Sequence, residues 1–327
     1  MRKFLIVTKI MFVLCLFAIS SQAQNLEIYC IDVDQGDATL VVTPNKNSVL
    51  IDCGLDSKAP AVREVIVNYA GLDSIDYFVC THYDRDHYGG IDKLVGMGVG
   101  VRKKFYDRDS EDWIPDTKKE QDDYVQYKET AGEKRAWLKP GQKIPIGDDV
   151  EIECIVSNGR AKGEYGVIEY PPEENGYSIG LIISYNDFDF FVAGDLTKAV
   201  ERKLVERGVL KDVDVYHVSH HGAETSSDSL FLETIKPEVC IISNGSYASY
   251  LHPRRETMER LESTSSVQDI YQTNKNINPS PKMKNVSDEF IGDLDPSGSE
   301  GTILLSVKGS IYTITFLDRT KSYEVQQ

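Results

Sequence analysis

Within Thr81-His82-Tyr83-Asp84-Arg85-Asp86-His87-Tyr88-Gly89-Gly90, two histidines and two aspartates fall inside six residues. Imidazole nitrogen together with carboxylate oxygen is the ligand mix of zinc, manganese and iron sites. The apolar run Tyr77-Phe78-Val79-Cys80 just before them reads as a buried strand. A loop leaving a strand end can fold such groups inward around a cation. Gly89-Gly90 then lets the backbone turn tightly into a helix that starts near Ile91.

Three more apolar runs end in groups of the same kind. Asp52 follows Val49-Leu50-Ile51, Asp195 follows Phe190-Phe191-Val192, and His220 and His221 follow Val215–Ser219. One such ending means little, whereas four together point to a single edge of a sandwich where they meet. Asp195 can bridge two cations, neutral imidazoles complete each sphere, and an open position holds a water. The cation lowers that water's pKa towards neutrality and makes a hydroxide nucleophile for hydrolysis.

The elements that must position these groups follow from periodicity. Strands are expected over Asn25–Val33, Ala38–Thr43, Ser48–Ile51, Lys143–Ile146, Val150–Val156, Asp214–Ser219 and Val239–Ser243. Hairpins are expected for Ser178–Ser184 with Phe188–Ala193 and within Gly301–Phe316. Helical spacing covers Ala59–Tyr69, Lys198–Arg207, Ser229–Ile235 and Arg255–Leu261, with Gly71 and Gly208 as stops. Lys103–Arg135 is charged and poor in aliphatics, which predicts a mostly helical, solvent-facing segment. Asn158–Tyr177 reads as a long loop of lid type held extended by Pro171-Pro172, and Lys275–Glu300 as a polar excursion. Strands in groups, with helices between and after them, predict an α+β protein of sheets packed together with helices outside.

The 327 residues are 41% hydrophobic and 27% charged, values of a globular chain, and no internal repeat or second domain is visible. Arg2 and Lys3, the apolar run Ile10–Ile19 and Ser20-Ser21-Gln22-Ala23 read as a secretory signal peptide cut after Ala23. Residues 24–327 are then an exported domain, periplasmic or secreted, and the apolar run is short for a bilayer span. Cleavage removes Arg2, Lys3 and Lys9 and no acid, so the net charge becomes three units more negative than the −16 of the whole chain. Such a surface repels polyanions at long range and argues against an electrostatic nucleic-acid platform, while leaving open a nucleic-acid substrate held by metal ions and a local basic patch. Cys30, Cys53, Cys80, Cys154 and Cys240 sit in apolar runs without CxxC spacing and read as buried free thiols.

Several ordered motifs then carry a resemblance. They are Ile31-Asp32-Val33-Asp34-Gln35-Gly36-Asp37-Ala38, Leu50-Ile51-Asp52-Cys53-Gly54, the His82–Gly90 loop, Ala193-Gly194-Asp195-Leu196, His220-His221-Gly222 with Thr225-Ser226-Ser227, and His252-Pro253. The set resembles the metallo-β-lactamase superfamily, and more narrowly the metallo-hydrolase domain of the competence channel ComEC, from Leu26 to Phe316. The resemblance implies an αβ/βα four-layer sandwich with a divalent metal, zinc or manganese, at one edge. It also implies phosphodiesterase or nuclease chemistry in a free-standing exported relative without a channel.

Carried over residue by residue, Asp86, His87, Asp195 and His221 complete one metal site. His82, Asp84 and the shared Asp195 form the other, with Asn175 or Ser178 as weak substitutes. Asp84 stands where the commonest superfamily loop has a second histidine, and no histidine lies between His87 and His217. One ion is therefore expected to bind tightly and a second weakly, the oxygen-richer site leaning towards manganese or magnesium. His220 is the alternative to His221, because adjacent residues on a strand point opposite ways. Asp52 is assigned to orienting the loop by hydrogen bonding, and Asp84 or Asp86 to positioning the nucleophile. His252 either approaches substrate as an acid or phosphate contact or is a structural loop histidine. Thr225, Ser226 and Ser227 either cap the next helix or contact a substrate phosphate at its start. Asp34 and Asp37 are read as shaping their turn, and His217 as an ordinary strand histidine. The rival readings are a lactam, lactone or ester hydrolase of the same fold, and a metal-containing binding protein without turnover.

Overall fold

The structure is a computed structural model that describes residues 25–108, 117–163, 167, 173–246, 251–295 and 300–326. The expected signal peptide and Pro171-Pro172 lie outside the described residues. Six strands come first: β1 (Leu26–Cys30), β2 (Thr39–Val42), β3 (Ser48–Ile51), β4 (Ser74–Val79), β5 (Gly100–Asp107) and β6 (Arg135–Trp137). Nine follow: β7 (Lys143–Ile144), β8 (Val150–Ser157), β9 (Arg160–Ala161), β10 (Gly180–Tyr185), β11 (Phe188–Val192), β12 (Val215–His217), β13 (Val239–Ile242), β14 (Asp269–Asn274) and β15 (Ile291–Asp293). The last three are β16 (Ile303–Lys308), β17 (Ile311–Phe316) and β18 (Arg319–Glu324).

Among the described residues these strands form two sheets. One runs β18-β17-β16-β1-β2-β3-β4-β5-β6, and the other β15-β14-β13-β12-β11-β10-β8-β7 with β9 on β8. Alternation along each strand divides the apolar residues between two faces. On β1, Leu26, Ile28 and Cys30 face Leu181, Phe188, Phe190 and Val215 of the opposite sheet. Tyr29 points the other way, into the layer under α1 (Ala59–Glu64), α2 (Arg85–Tyr88), α3 (Ile91–Gly96) and α4 (Lys118–Ala131). On the far side α5 (Lys198–Arg207), α6 (Ser229–Ile235) and α7 (Arg255–Ser263) cover the second sheet. Each fully buried large apolar side chain contributes roughly 1.5–3 kcal/mol, so three apolar layers hold four layers of structure together. The expected αβ/βα sandwich is the fold observed.

Strand direction places the site. The ladders β3-β4-β5-β6 and β11-β12-β13-β14-β15 are parallel. The residues that follow β3, β4, β11 and β12 therefore emerge at one edge of the sandwich, where ligands of parallel sheets collect.

Two expectations need correction. Lys103–Arg135 is not one helical segment, because Gly100–Asp107 is a strand whose alternation is masked by Arg102, Lys103 and Lys104. Nor is α4 merely a solvated face: Thr117 and Glu120 form a capping box at its start, and Tyr124, Tyr127 and Ala131 are buried. The polar excursion holds β15, paired to β14. The five free cysteines among the described residues are buried, and burial pushes their thiols up. No helix of the described residues is long and apolar enough to cross a membrane.

Candidate metal centre

Asp52 leaves β3 with φ 58°, a left-handed turn that brings its buried carboxylate under the loop after β4. One oxygen accepts the Thr81 amide at 2.8 Å and the other the Thr81 hydroxyl at 2.7 Å. The second oxygen also lies 2.8 Å from His87 Nδ1. Because a carboxylate only accepts, Nδ1 carries a hydrogen, which leaves Nε2 as the nitrogen that can turn a lone pair to a cation once its own proton has gone. Gly89 and Gly90 have ordinary helical φ values of −61° and −88°. They are needed for close approach instead, since a Cβ would strike the carbonyls of Arg85 and Cys53 respectively.

The opposite wall is set by Gly194, with φ 48°, where a Cβ would collide with the Thr81 side chain. That contact seats Asp195 against the His82 loop. Ser178 Oγ supports the Asp195 amide at 3.3 Å and donates to the Asn175 carbonyl at 2.6 Å, so it fixes backbone. His220 and His221 lie beyond β12 in a tight turn, with φ of 55° and 53°. Strand alternation does not govern them there, and the choice between them dissolves: both rings face Asp195. Glu201 accepts the amides of Ser227 and Asp228 at 2.9 and 2.7 Å, and Arg260 donates to the carbonyls of Ser226 and Ser227. Ser226 and Ser227 are wholly buried by this clamp and present nothing to solvent. The cap of α6 is Asp228, which accepts from the Leu230 amide at 3.1 Å. Thr225 is exposed, with its hydroxyl 2.9 Å from His220 Nδ1.

The result is two clusters that share one carboxylate. Asp195 Oδ1 is 3.2 Å from His87 Nε2 and 3.6 Å from His221 Nε2, which is itself 3.6 Å from Asp86 Oδ2. Asp195 Oδ2 is 3.5 Å from His220 Nε2 and 3.9 Å from His82 Nε2, which is 3.6 Å from Asp84 Oδ2. Nε2 of His82, His87 and His221 and Oδ1 of Asp195 are buried with no hydrogen-bond partner among the described residues. Four orphaned polar atoms in one buried spot are expensive unless something charged satisfies them. Ligand atoms of His82, His87 and Asp195, and of Asp86, His87 and His221, lie within 4.8 Å of one another. The donor set fits a divalent cation.

The electrostatics agree. Burial disfavours ionised Asp86 and Asp195, yet the facing imidazoles outweigh it and hold both carboxyls below the usual range. Burial likewise opposes charge on His221, but Asp195 and Asp37 outweigh it and raise that imidazole to about 9. His87 and His82 are raised in the same way, chiefly by Asp195 with Asp52 and by Asp84 respectively. His220 is lowered by burial.

Two features lie outside the expected set. Asp37 is buried, 3.8 Å from His221 Nδ1 and 3.7 Å from His217 Nε2, with Oδ2 lacking a partner. Its carboxylate, read from the sequence as shaping the turn, faces the cluster instead and makes no hydrogen bond within that turn among the described residues. Arg108 is buried and pairs with Glu174 through both ends of its fork, while its guanidinium lies 4.7 Å over Tyr83 and 4.9 Å over Tyr177. Glu174 also accepts the Tyr83 amide at 2.9 Å, so this pair fastens the Asn175 turn to the His82 loop. Arg108→Met is expected to lower unfolding free energy by about 3 kcal/mol, because it strands Glu174 without a counter-charge. Urea denaturation reads this directly, and an unchanged midpoint would refute it.

Above the clusters opens a cleft of about 410 Å³ whose walls include Gln35, Leu55, Arg85, Glu120, Asn175 and His252. His252 stacks 5.9 Å from His221 and its carbonyl accepts from Asn276 at 2.7 Å. Burial, with His221 and His220 nearby, pushes His252 down to about 3, so its ring is neutral at physiological pH.

ComE operon protein 3 of Bacillus subtilis is 24% identical over 274 residues, covering 77% of this chain and 32% of that protein. Competence protein ComA of Neisseria gonorrhoeae is 26% identical over 234 residues, covering 70% of this chain and 28% of that protein. The chain thus spans under a third of the length of these ComEC-type relatives. Among solved structures, zinc-bound PqqB of Methylobacterium extorquens is 12% identical with a TM-score of 0.43, covering 74% of this chain and 86% of that one. Residues 31–245 match the family description itself, and the chain belongs to the metallo-beta-lactamase superfamily.

Proposed function

We propose that this chain is an exported, metal-dependent phosphodiesterase. The observation that carries the metal chemistry is the convergence of unsatisfied Nε2 atoms of His82, His87 and His221 on Asp195. The choice of a phosphodiester rests on the likeness to the ComEC-type competence proteins. When bound, a divalent cation supplies Lewis acidity and lowers the pKa of water.

The chain's own residues do the rest. His87, His221, Asp86 and Asp195 would hold one cation, and His82, Asp84, His220 and the shared Asp195 would hold a second. Asp84 and Asp86 are the ligands whose carboxylates reach the cleft, at 43% and 25% exposure, and they position the attacking water against the phosphorus. His252, neutral beside them, acts as a hydrogen-bonding contact to substrate; a group at about 3 has no proton to give as an acid near neutral pH. A chain of net charge −16 holds a polyanion weakly, with few phosphate contacts and a shallow salt dependence.

The test pairs elemental analysis with three reporters: a chromogenic phosphodiester, a chromogenic β-lactam and an aryl ester. Purified protein is expected to retain one ion through dialysis, lose a second, and hydrolyse the diester only when loaded. Lactam or ester turnover without diester turnover would replace the reaction, and tight metal without any turnover would leave a binding protein. Export is tested separately. Protein recovered from cells is expected to begin at Gln24, outside the cytoplasm, and an intact Met1–Ala23 in the cytoplasmic fraction would overturn that reading.

A further inference from the structure

The two clusters have similar facing atoms, but what stands behind their imidazoles differs. His87 Nδ1 is backed by the Asp52 carboxylate at 2.8 Å. His221 Nδ1 is backed by the Ser243 carbonyl at 3.1 Å and, at 3.8 Å, by the Asp37 carboxylate. Both backings only accept, so both rings keep a hydrogen on Nδ1, and in the neutral form that ligation requires their lone pair is aimed at the cluster. In the other cluster the backings are hydroxyls. His82 Nδ1 meets Thr81 Oγ1 at 3.1 Å, and that hydroxyl already gives its hydrogen to Asp52. His220 Nδ1 meets the exposed Thr225 hydroxyl at 2.9 Å, which can donate as readily as accept. The His220 Nε2 lone pair is also contested by the Asn175 amide nitrogen at 3.3 Å.

Asp37 stands behind the first cluster. Its Oδ2 is buried without a hydrogen-bond partner, Oδ1 lies 3.8 Å from His221 Nδ1 and 3.7 Å from His217 Nε2, and its carboxylate also falls within 4.8 Å of ligand atoms of Asp195 and of Asp52 with His87. His217 is occupied by the Ser243 hydroxyl at 2.8 Å, which leaves the Asp37 charge directed at His221. A carboxylate behind a ligating imidazole fixes its tautomer and raises its basicity, and removing such a partner weakens metal binding.

We infer that Asp37 is a positioning residue that, acting through His221, makes the His87–His221 cluster the tight cation position. The His82–His220 cluster is the weak one because its imidazoles are backed by hydroxyls. The inference rests on the metal assignment above and extends it to the residues that rank the two positions.

The experiment is competition of Zn²⁺ or Co²⁺ against a chromogenic chelator on the full chain, giving separate dissociation constants for the first and second ion. Asp37→Asn keeps the side-chain shape and removes the charge. It is expected to weaken the first ion by about 10- to 100-fold while leaving the second nearly unchanged, the range found for such outer partners. Thr225→Asp places a carboxylate behind His220 and is expected to tighten the second ion by about tenfold on the same basis. A purely structural role would lower the melting temperature of metal-free Asp37→Asn without moving the first constant, and that result overturns the inference. If Asp37→Asn does not fold, Thr225→Asp decides: a tighter second ion supports the ranking by backing, and an unchanged one refutes it. Absence of any bound ion in the unaltered protein would instead sink the metal assignment itself.

Discussion

Asp195→Ala is expected to abolish hydrolysis, by about a thousandfold or more, and to release both cations. A single preorganised donor at a reacting centre is already worth about 10²–10³ in rate, and Asp195 is the one carboxylate facing both clusters. Loss of its two oxygens takes from His87, His221, His82 and His220 the one carboxylate they share, leaving Asp52, Asp86 and Asp84 beside the first three and no carboxylate facing His220 Nε2. The metal-free variant should therefore also be less stable than the metal-free parent, since a buried charge has lost its partner. Asp195→Asn separates the two effects: it keeps the shape and one ligand oxygen, so the fold survives while one ion is lost. His87→Ala is expected to remove activity through the first cluster alone. Full phosphodiesterase activity in Asp195→Ala at unchanged metal content would end the assignment.

Chelation gives the second large effect, and its size depends on pH. With the cation removed, His221 titrates at about 9 instead of its ordinary 6.5. A raised pKa stabilises the fold fully below 6.5 and ceases to do so as pH rises through about 9. The shift corresponds to roughly 3 kcal/mol, an order of magnitude for a site so closely coupled. Asp86 and Asp195 are shifted the other way, so their contribution is present above the ordinary carboxylate range and disappears as pH falls below it. Metal-free protein should accordingly melt at progressively lower temperature from pH 6.5 to 9. Metal-loaded protein should not, because ligation needs neutral imidazoles and strengthens as protons leave. The rise in melting temperature on adding Zn²⁺ then grows across that interval. A metal-free melting temperature that stays flat from pH 6.5 to 9 would contradict the imidazole–carboxylate pairing.

What could be read from residues alone was the part written locally. His82, Asp84, Asp86, His87 and Asp195 each follow an apolar run at a parallel strand end, and the fold brings those ends to one edge. The pairing of His220 with one cluster and His221 with the other was not legible. It depends on two successive left-handed residues, and the strand rule of opposite faces fails where the strand has ended. Asp37 and Arg108 were hidden for a different reason. Their partners, His221 and Glu174, are remote in the chain and meet them only after folding. β14 escaped because only Ile270 and Tyr271 of its buried side chains are apolar and the rest are polar: Asn274 donates to Asp32 at 2.7 Å and Gln272 to the Asn274 carbonyl at 2.6 Å. β18 escaped because an edge strand exposes nearly every residue, leaving Tyr323 as its only buried side chain.

The ladder between β1 and β16 has a consequence for synthesis. A ribosome releases Leu26–Cys30 long before Ile303–Lys308, the strand that pairs with it, can emerge. Throughout that interval β1 has β2 on one flank and a bare row of backbone donors and acceptors on the other. A short apolar strand in that state is a template for pairing with neighbouring nascent chains. A polypeptide stopped before Ile303 carries every residue assigned to the cation centre and still lacks the strand that covers β1. Its failure would be aggregation during translation, with its chemistry never put to use.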